Sequence, residues 1–199
     1  MGRKFVYKRR YSDESIKKGY SIKLLVYFQN NGIRNFSMSE LAKSFNISKT
    51  TLYNHFYSKD EMIGCALDYK LSVISDYKSV LFNKDLKYVE RYRKAMLFYC
   101  VQSFKVSSTL LFQIKEDYPI HWVKVLSFQK ELLNDLEMYY QLGQRTGFYD
   151  KSFDPKLLSL DDYQFFDMLS KRNTHEIKDA DVTALFDHHY RLKFNGLMN

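Results

Sequence analysis

The residues whose types and spacing suit a chemical task lie in the segment SKTTLYNHF, at positions 48–56. Lys49, Thr50 and Thr51 directly follow a serine. Small polar and basic side chains at the beginning of a helix are those that reach base edges in the DNA major groove. Thr offers a hydroxyl group to a base or a methyl group to thymine, and Lys offers donors to guanine or phosphate. The segment therefore predicts a helix that enters the DNA groove.

Two capping patterns indicate the helices that must position this segment. Ser37 and Glu40 form an S-x-x-E box, in which the serine hydroxyl and the glutamate carboxylate each accept a backbone amide at the beginning of a helix. Ser58 and Glu61 repeat the box. Asn46 lies at the turn between them, and Asn tolerates a left-handed backbone better than most residues with a side chain. One such box is common by chance, whereas two that begin successive helices around SKTTLYNHF are much more specific.

Residues 37–61, SMSELAKSFNISKTTLYNHFYSKDE, resemble the helix-turn-helix of TetR/AcrR-type transcriptional regulators. The resemblance is specific in residues 20–61 and only architectural beyond about residue 80. It departs from the family at Asn46, where a TetR-type sequence usually has Gly. The resemblance implies an all-α chain, with an N-terminal three-helix helix-turn-helix domain for DNA binding and a C-terminal helical domain for ligand binding and dimerisation.

Apolar periodicity predicts about nine helices and no strands. We expect helices near Asp13–Asn31, at the two motif helices, from Ser58 to about Ser79, and near 85–106, 109–115, 121–145, 154–170 and 179–195. Pro119 is expected to break the chain. We divide the sequence into a DNA-binding domain with a basic arm at residues 1–60, a connecting helix at 61–82, and a ligand-binding and dimerisation domain at 83–199.

Several polar residues around the second motif helix are candidates for DNA contacts. In TetR-type proteins the matching Tyr and His commonly contact phosphates, which here implies Tyr53 and His55. Asn54, at a position that varies in that family, is our candidate for a bidentate contact to adenine. Lys59 begins the next helix, where its charge and the free amides attract a phosphate. The full set of candidate DNA-binding residues is Ser37, Ser39, Lys49, Thr50, Thr51, Tyr53, Asn54, His55 and Lys59.

Structural alternatives stand beside these assignments. Ser37 and Ser48 also serve as helix caps alone, and His55 also suits a partly buried packing residue. Lys49 and Lys59 also suit a solvated surface. Residues 1–12, MGRKFVYKRRYS, are either a basic arm that follows phosphates or the minor groove, or a solvated terminus.

The distribution of charge supports a polyanionic partner. The formal net charge is +8. Residues 1–60 contain 12 Lys and Arg residues against 4 acidic residues, and the remainder is balanced. Neutralising phosphates releases counterions, so a basic domain of this kind favours DNA. A basic membrane-surface helix is the competing interpretation, but residues 1–12 have no apolar stripe. No apolar run reaches the roughly 18 residues of a membrane span.

Cys65 and Cys100 both fall in helical patterns, which favours buried free thiols in a reducing compartment over a redox switch. We therefore expect a cytoplasmic protein that binds no membrane.

The resemblance further implies that the C-terminal domain binds an effector and forms a homodimer. Aromatic candidates for an apolar pocket are Tyr69, Tyr92, Tyr99, Phe104, Trp122 and Tyr139. Candidates for the dimer interface in the last two helices are Phe165, Phe166, Met168, Leu169, Leu185, Phe186 and Tyr190. Aromatic residues at helical spacing also form ordinary core, and this alternative holds for both sets.

The sequence offers no catalytic motif and no metal-ligand spacing. His188 and His189 are adjacent on a predicted helix and point about 100° apart. We therefore expect no enzyme activity, no metal and no cofactor.

The predicted function is that of a sequence-specific transcriptional regulator, a repressor that a small, largely apolar ligand releases from an inverted-repeat operator. In one alternative the C-terminal domain binds a protein partner instead of a small molecule. In another the chain is an enzyme that uses the helix-turn-helix to find DNA, such as a recombinase, but residues 61–199 show no nucleophile or carboxylate cluster for it.

Overall fold

The computed structural model describes residues 14–170 and 181–197. The chain divides into two compact units, residues 1–70 and residues 71–199, which we call the first and the second unit. The regular elements of the described residues are ten helices. The prediction of an all-α chain is confirmed. Residues 1–12 and 179–180, to which we assigned a basic arm and the beginning of the last helix, lie outside the described residues.

The first unit contains α1 (Glu14–Asn31), α2 (Met38–Ser44), α3 (Lys49–His55) and most of α4 (Lys59–Ser75). Its core is apolar and consists of side chains that all four helices and the α1–α2 loop contribute: Leu24, Leu25, Phe28, Ile33, Phe36, Leu41, Ala42, Leu52, Phe56, Met62, Ile63, Ala66 and Leu67. Ile16, near the beginning of α1, is exposed. This core holds α3 in position through the buried Leu52.

The second unit contains α5 (Tyr77–Leu81), α6 (Tyr88–Phe104), α7 (Ser108–Asp117), α8 (Pro119–Arg145), α9 (Pro155–Ser170) and α10 (Val182–Leu197). Its core lies between α5, α6, α8, α9 and α10. The core is rich in tyrosine, with Tyr77, Tyr92, Tyr139, Tyr140 and Tyr149 at most 1% exposed. Buried hydroxyl groups require partners, so this core is also a hydrogen-bonding network.

Two helix boundaries differ from the sequence-based prediction. The helix predicted from Ser58 to about Ser79 ends at Ser75, and the separate helix α5 begins at Tyr77. Tyr77 is fully buried and its hydroxyl donates to Asp135 on α8 at 2.7 Å, so the new helix turns Tyr77 into the core. Pro119 is the first residue of α8 and not merely a break. Proline suits this position because the amide it lacks would have no partner inside the helix.

Among the described residues, no single helix is both long and apolar enough to cross a membrane. The pair α6 and α7, bent by 73° at its break, meets the length and composition criteria together.

Candidate nucleic-acid interface

The caps that the sequence predicted for α2 are present. The Ser37 hydroxyl accepts from the Glu40 amide at 3.1 Å, and the Ser37 amide donates to the Glu40 carboxylate at 2.9 Å. These hydrogen bonds from Ser37 hold the pKa of the Glu40 carboxyl below its usual value. The box fixes the beginning of α2, and Ser37 therefore acts as a cap whether or not it also contacts DNA.

The turn between α2 and α3 has the backbone that the sequence predicted. Asn46 has a φ of 54°, in the left-handed region. The Ile47 amide donates to the Ala42 carbonyl at 3.0 Å, which closes the turn. Ser48 then caps α3, because its hydroxyl accepts from the Thr51 amide at 3.0 Å. Local hydrogen bonds thus determine where α3 begins and which residues form its first turn.

The first turn of α3 presents exposed polar groups. Lys49 and Thr50 are exposed, whereas Leu52 is fully buried and anchors the helix. Thr51 is half-buried, and its hydroxyl lies 2.9 Å from the Ser48 hydroxyl. That hydroxyl therefore belongs to the cap. One turn later Tyr53 is half exposed and Asn54 is exposed.

His55 and Lys59 each have a structural contact within the first unit. The His55 ring packs against Tyr20 at 5.0 Å between ring centroids, and its buried Nδ1 has no hydrogen-bond partner among the described residues. The Lys59 ammonium donates to the Phe36 carbonyl at 2.5 Å and lies 4.6 Å from the Phe36 ring centroid. Lys59 thus links α4 to the loop before α2, with donors left for a phosphate.

Ser39, another candidate for DNA contacts, is exposed in the first turn of α2.

Tyr57 is a candidate that the sequence analysis missed. It lies between α3 and α4 and is 87% exposed, in contrast to the buried Phe56 beside it. Its amide donates to the Glu61 carboxylate at 2.6 Å, and the same carboxylate pairs with Lys17 at 2.5 Å. The hydrogen bond to Glu61 raises the pKa of Lys17 above its usual value. The backbone of Tyr57 is therefore held in place while its ring projects from the end of α3, a position that the capping pattern alone did not reveal.

The aromatic residues assigned to an effector pocket fall in different places. Tyr92, Tyr99 and Tyr139 are buried in the core of the second unit. Phe104 and Trp122 are half-buried in the same unit, and Tyr69 belongs to the first unit. Tyr92 and Tyr139 lie 5.7 Å apart between ring centroids, so these two pack on each other. The pocket assignment stays a prediction.

The residues assigned to a dimer interface face mainly inward. Phe166, Leu169 and Phe186 are buried in the core of the second unit, and Phe165, Leu185 and Tyr190 pack partly buried against it. Met168 is 42% exposed. The reason is that α9 and α10 turn their aromatic sides towards α6 and α8. The outer apolar positions of these helices are instead Leu157, Leu160, Met168 and Leu192.

Asp162 on α9 is fully buried at the centre of a polar network in the second unit. Its oxygens accept from the hydroxyls of Tyr92 at 2.5 Å and Tyr140 at 2.6 Å, and from the Lys193 ammonium at 2.6 Å. His189 Nε2 lies 3.3 Å away. Burial alone would raise the pKa of Asp162, but Lys193 and these hydrogen bonds lower it below its usual value. The network therefore holds an ionised carboxylate inside the protein.

The side chains of Asp161, Asp162 and His189 are close enough together to hold a metal ion. The Lys193 ammonium stands among them, however, 3.1 Å from Asp161 and 2.6 Å from Asp162. Lys193 thus supplies the positive charge at this position.

The first unit as a whole defines a class of protein. A short capped helix, a tight left-handed turn and a second capped helix with exposed polar residues form a helix-turn-helix, the geometry in which the second helix enters the DNA major groove.

Comparison with known proteins finds a family whose model matches part of the first unit. Residues 25–64 match the model of the bacterial regulatory proteins of the tetR family. No curated protein sequence matches the chain.

Solved structures share the fold along nearly the whole chain. PfmR from Thermus thermophilus, a TetR-family transcriptional regulator, is 19% identical with a TM-score of 0.69, covering 90% of this chain and 99% of its own. A transcriptional regulator from Saccharomonospora viridis, solved in complex with choline, is 13% identical with a TM-score of 0.77, covering 94% of this chain and 99% of its own. AibR, solved with isovaleryl coenzyme A and operator DNA, is 14% identical with a TM-score of 0.63, covering 88% of this chain and 96% of its own.

These findings confirm the resemblance to TetR-family transcriptional regulators, in the sequence of the helix-turn-helix and in the fold of the chain. Residues 25–64 thus resemble the DNA-binding region of that family, and the chain shares the fold of its solved members.

Proposed function

We propose that this chain is a dimeric repressor that binds an inverted-repeat operator through α3 and is released by a small molecule bound in the second unit. The observation that carries the proposal is the exposed polar surface of α3, which two capped helices and a left-handed turn hold in position. This surface lies in the part of the sequence that contains all of the excess positive charge. Positive charge supplies affinity for phosphates, and the side chains of α3 supply base contacts.

Within α3 we assign different roles to neighbouring residues. Lys49, Thr50 and Asn54 are exposed and reach base edges or phosphates in the groove. Tyr53 and His55 contact phosphates. Lys59 and Tyr57 extend the phosphate contacts beyond α3. Thr51, Ser37 and Ser39 support the interface through the caps and the first turn of α2, since the hydroxyls of Thr51 and Ser37 are engaged there.

Dimerisation is proposed because an inverted repeat presents two equivalent half-sites about 34–36 Å apart. The outer sides of α9 and α10 are the proposed contact surface. They are neighbours, since Lys193 on α10 donates to the Leu158 carbonyl and to Asp161 on α9. Leu157 and Leu192 are 64% and 67% exposed, and burying such side chains favours association.

A small-molecule effector is proposed because two proteins of the same fold were solved with small molecules, choline in one and isovaleryl coenzyme A in the other. The effector acts by a population shift, in which it binds better to a conformation that no longer matches the operator. The alternative is a second unit that binds a protein partner, and the exposed apolar side chains of Phe112, Ile120 and Val123 would favour it.

The test begins with selection of bound fragments from the genome of the source organism at about physiological salt, where non-specific contacts are weakened. We expect recovery of a short inverted repeat. Random fragments, with binding that disappears as salt rises, would contradict the proposal.

Single substitutions then separate the roles on the recovered site. We expect Lys49→Ala to weaken binding to all DNA and to reduce the salt dependence by about one phosphate contact, and Asn54→Ala to lose about 1–3 kcal/mol of preference at one base pair only. Lys130→Ala, an exposed lysine of the second unit, is the matched control and should change neither. Equal losses on specific and random DNA for Asn54→Ala would remove Asn54 from the base contacts.

A further inference from the structure

The second unit holds a buried negative charge whose counter-ion is a flexible side chain. Asp162 is fully buried, and the side chain of Lys193, whose ammonium pairs with it, is 5% exposed. A buried carboxylate that loses its partner is strongly unfavourable, so this position requires a cation at all times. Lys is a compact charge on a stem with four rotatable carbons, which makes it the more mobile member of the pair.

One aromatic ring lies near the ammonium, and further rings pack beside the carboxylate that holds it. The Lys193 ammonium lies 5.1 Å from the Tyr140 ring centroid. Tyr140 and Tyr92 both donate to Asp162, and Phe194 packs against Tyr92 at 4.8 Å between centroids. A carboxylate combined with aromatic ring faces is the environment that recognises amines and quaternary ammonium groups. The same side chains that hold Lys193 are therefore those that would hold a small organic cation.

The position borders on an exposed carboxylate. The Lys193 ammonium bridges the buried Asp162 and Asp161, whose side chain is 62% exposed. A cation that arrives past Asp161 meets the ammonium directly, and the released Lys193 remains next to the exposed carboxylate. The replacement exchanges one positive charge for another and leaves Asp162 paired. A neutral or anionic ligand in the same place would remove the Lys193 counter-ion of Asp162 without replacing its charge, and the ligand must therefore be a cation.

We propose that the position of the Lys193 ammonium beside Asp162 is a binding site for a small organic ammonium ion, which displaces Lys193 and is the effector class of this regulator. The proposal rests on the function proposed above, whose ligand class it names, and it differs from the largely apolar ligand that the sequence analysis predicted. Lys193 also donates to the Leu158 carbonyl at 2.9 Å, so it ties α10 to α9. Displacing it removes this tie between α9 and α10, the two helices of the proposed dimer surface, and we expect the dimer that the operator requires to change as a result.

The first experiment uses three probes of one carbon skeleton, namely butylammonium, butanol and butyrate, at equal ionic strength with the wild-type chain. Butylammonium matches the side chain of Lys193. We expect it to raise the melting temperature, whereas butanol and butyrate do not. Equal responses to the three probes, or a larger response to a divalent metal ion than to butylammonium, would overturn the proposal.

Lys193→Met sharpens the test, because it keeps an apolar stem and removes the resident cation. In wild type the apparent affinity of a ligand is reduced to the fraction of molecules in which Lys193 has left the site. We therefore expect butylammonium to bind this variant about tenfold more tightly than wild type. Asp162→Asn should abolish the preference for the cation. If Lys193→Met fails to fold, Asp161→Asn is the second variant. It removes one carboxylate on the entry side, and we expect a weaker response to butylammonium with no gain for butanol.

DNA binding separates failure of this proposal from failure of the proposed function. The unliganded chain on the recovered inverted repeat tests the regulator, and butylammonium added to that complex tests the effector. Operator binding without discrimination among the three probes overturns the cation site alone. Discrimination among the probes without operator binding upholds the site and overturns the regulatory function.

Discussion

The two units of this chain differ in where most of their functional polar groups lie, at the surface in the first unit and in the core in the second. The core of the first unit is mainly apolar, with Ser21 and Lys70 as buried polar residues, and the polar groups of its helix-turn-helix cap helices or face outward along α3. The second unit buries tyrosine hydroxyls, a carboxylate and an ammonium among its helices. A surface that must meet a polyanion is built from short-range capping motifs, whereas a buried network needs partners from distant parts of the sequence. The comparison indicates that the first unit is rigid in its local geometry, and that the second depends on a few long-range polar contacts.

The largest difference in stability between the two units is expected in alkaline solution, which should destabilise the tyrosine-rich core of the second unit. Burial raises the pKa of Tyr92, Tyr139, Tyr140 and Tyr149 above the ordinary value. Their folded-state pKa values exceed the unfolded value of about 10, so the stability they contribute is complete below pH 10 and is lost as pH rises above it. Each such tyrosine removes about 1.4 kcal/mol per pH unit from the free energy of unfolding.

We therefore expect phenolate absorbance of the buried tyrosines and loss of helical circular dichroism to appear together, in one cooperative step above pH 10. The chain in concentrated urea is the reference for freely titrating tyrosines. Gradual phenolate formation with the helical signal intact would contradict a tightly closed tyrosine core.

The next largest difference between the units is expected when one partner of an ion pair is removed, Asp162–Lys193 in the second unit and Lys17–Glu61 in the first. Asp162→Asn leaves the buried Lys193 ammonium with the exposed Asp161 as its remaining carboxylate partner, so we expect the second unit to lose about 3–5 kcal/mol of stability. Glu61→Gln in the first unit is the matched change, because the Lys17 and Glu61 side chains are 29% and 25% exposed. It should cost about 1 kcal/mol or less. Urea denaturation followed by circular dichroism gives both values, and the fluorescence of Trp122, the single tryptophan, reports on the second unit. Similar losses of stability in the two variants would contradict the distinction between a buried ion pair in the second unit and a partly exposed one in the first.

A glycine pair gives smaller expected effects than Asp162→Asn, and the two are of opposite sign. A Cβ at Gly143 on α8 would fall on the Tyr149 ring and 2.8 Å from the Tyr88 hydroxyl, so Gly143→Ala should cost about 1–3 kcal/mol by overpacking. A Cβ at Gly19 on α1 meets no atom within 4 Å. Gly19→Ala should therefore stabilise the first unit by about 0.5–1 kcal/mol, because Gly loses more backbone freedom in a helix than Ala. Both values come from urea titrations. A neutral Gly143→Ala would indicate that the tyrosine core has room to adjust.

The first unit was largely predictable because its signals are local. Ser37 with Glu40, Asn46 and Ser48 each act within four residues along the chain, and the structure shows the hydrogen bonds and the positive φ that the pattern indicated. Tyr57 was not predicted, since the Glu61 carboxylate that holds its amide also pairs with Lys17, 44 residues earlier, and the capping pattern indicated neither contact. Lys59 gained a contact to the Phe36 carbonyl, 23 residues earlier, which the sequence alone did not indicate.

The second unit was predictable only in its helices. Aromatic residues at helical spacing indicated buried faces, but periodicity does not say which neighbour a face meets, and this is why Phe166, Leu169 and Phe186 were assigned to an interface and lie in the core. Nothing in the sequence around Asp162 distinguishes it from the exposed Asp161 beside it.

By itself the sequence determined the helices, their caps, the helix-turn-helix and the concentration of positive charge in residues 1–60, because propensity, capping and charge act over a few residues or over composition. Only the tertiary structure decided that Asp162 is buried and that Tyr92, Tyr140 and Lys193 from α6, α8 and α10 converge on it, at sequence separations of 70, 22 and 31 residues. The physical reason is that burial of a charge depends on which helices pack together, and packing is a property of the whole unit.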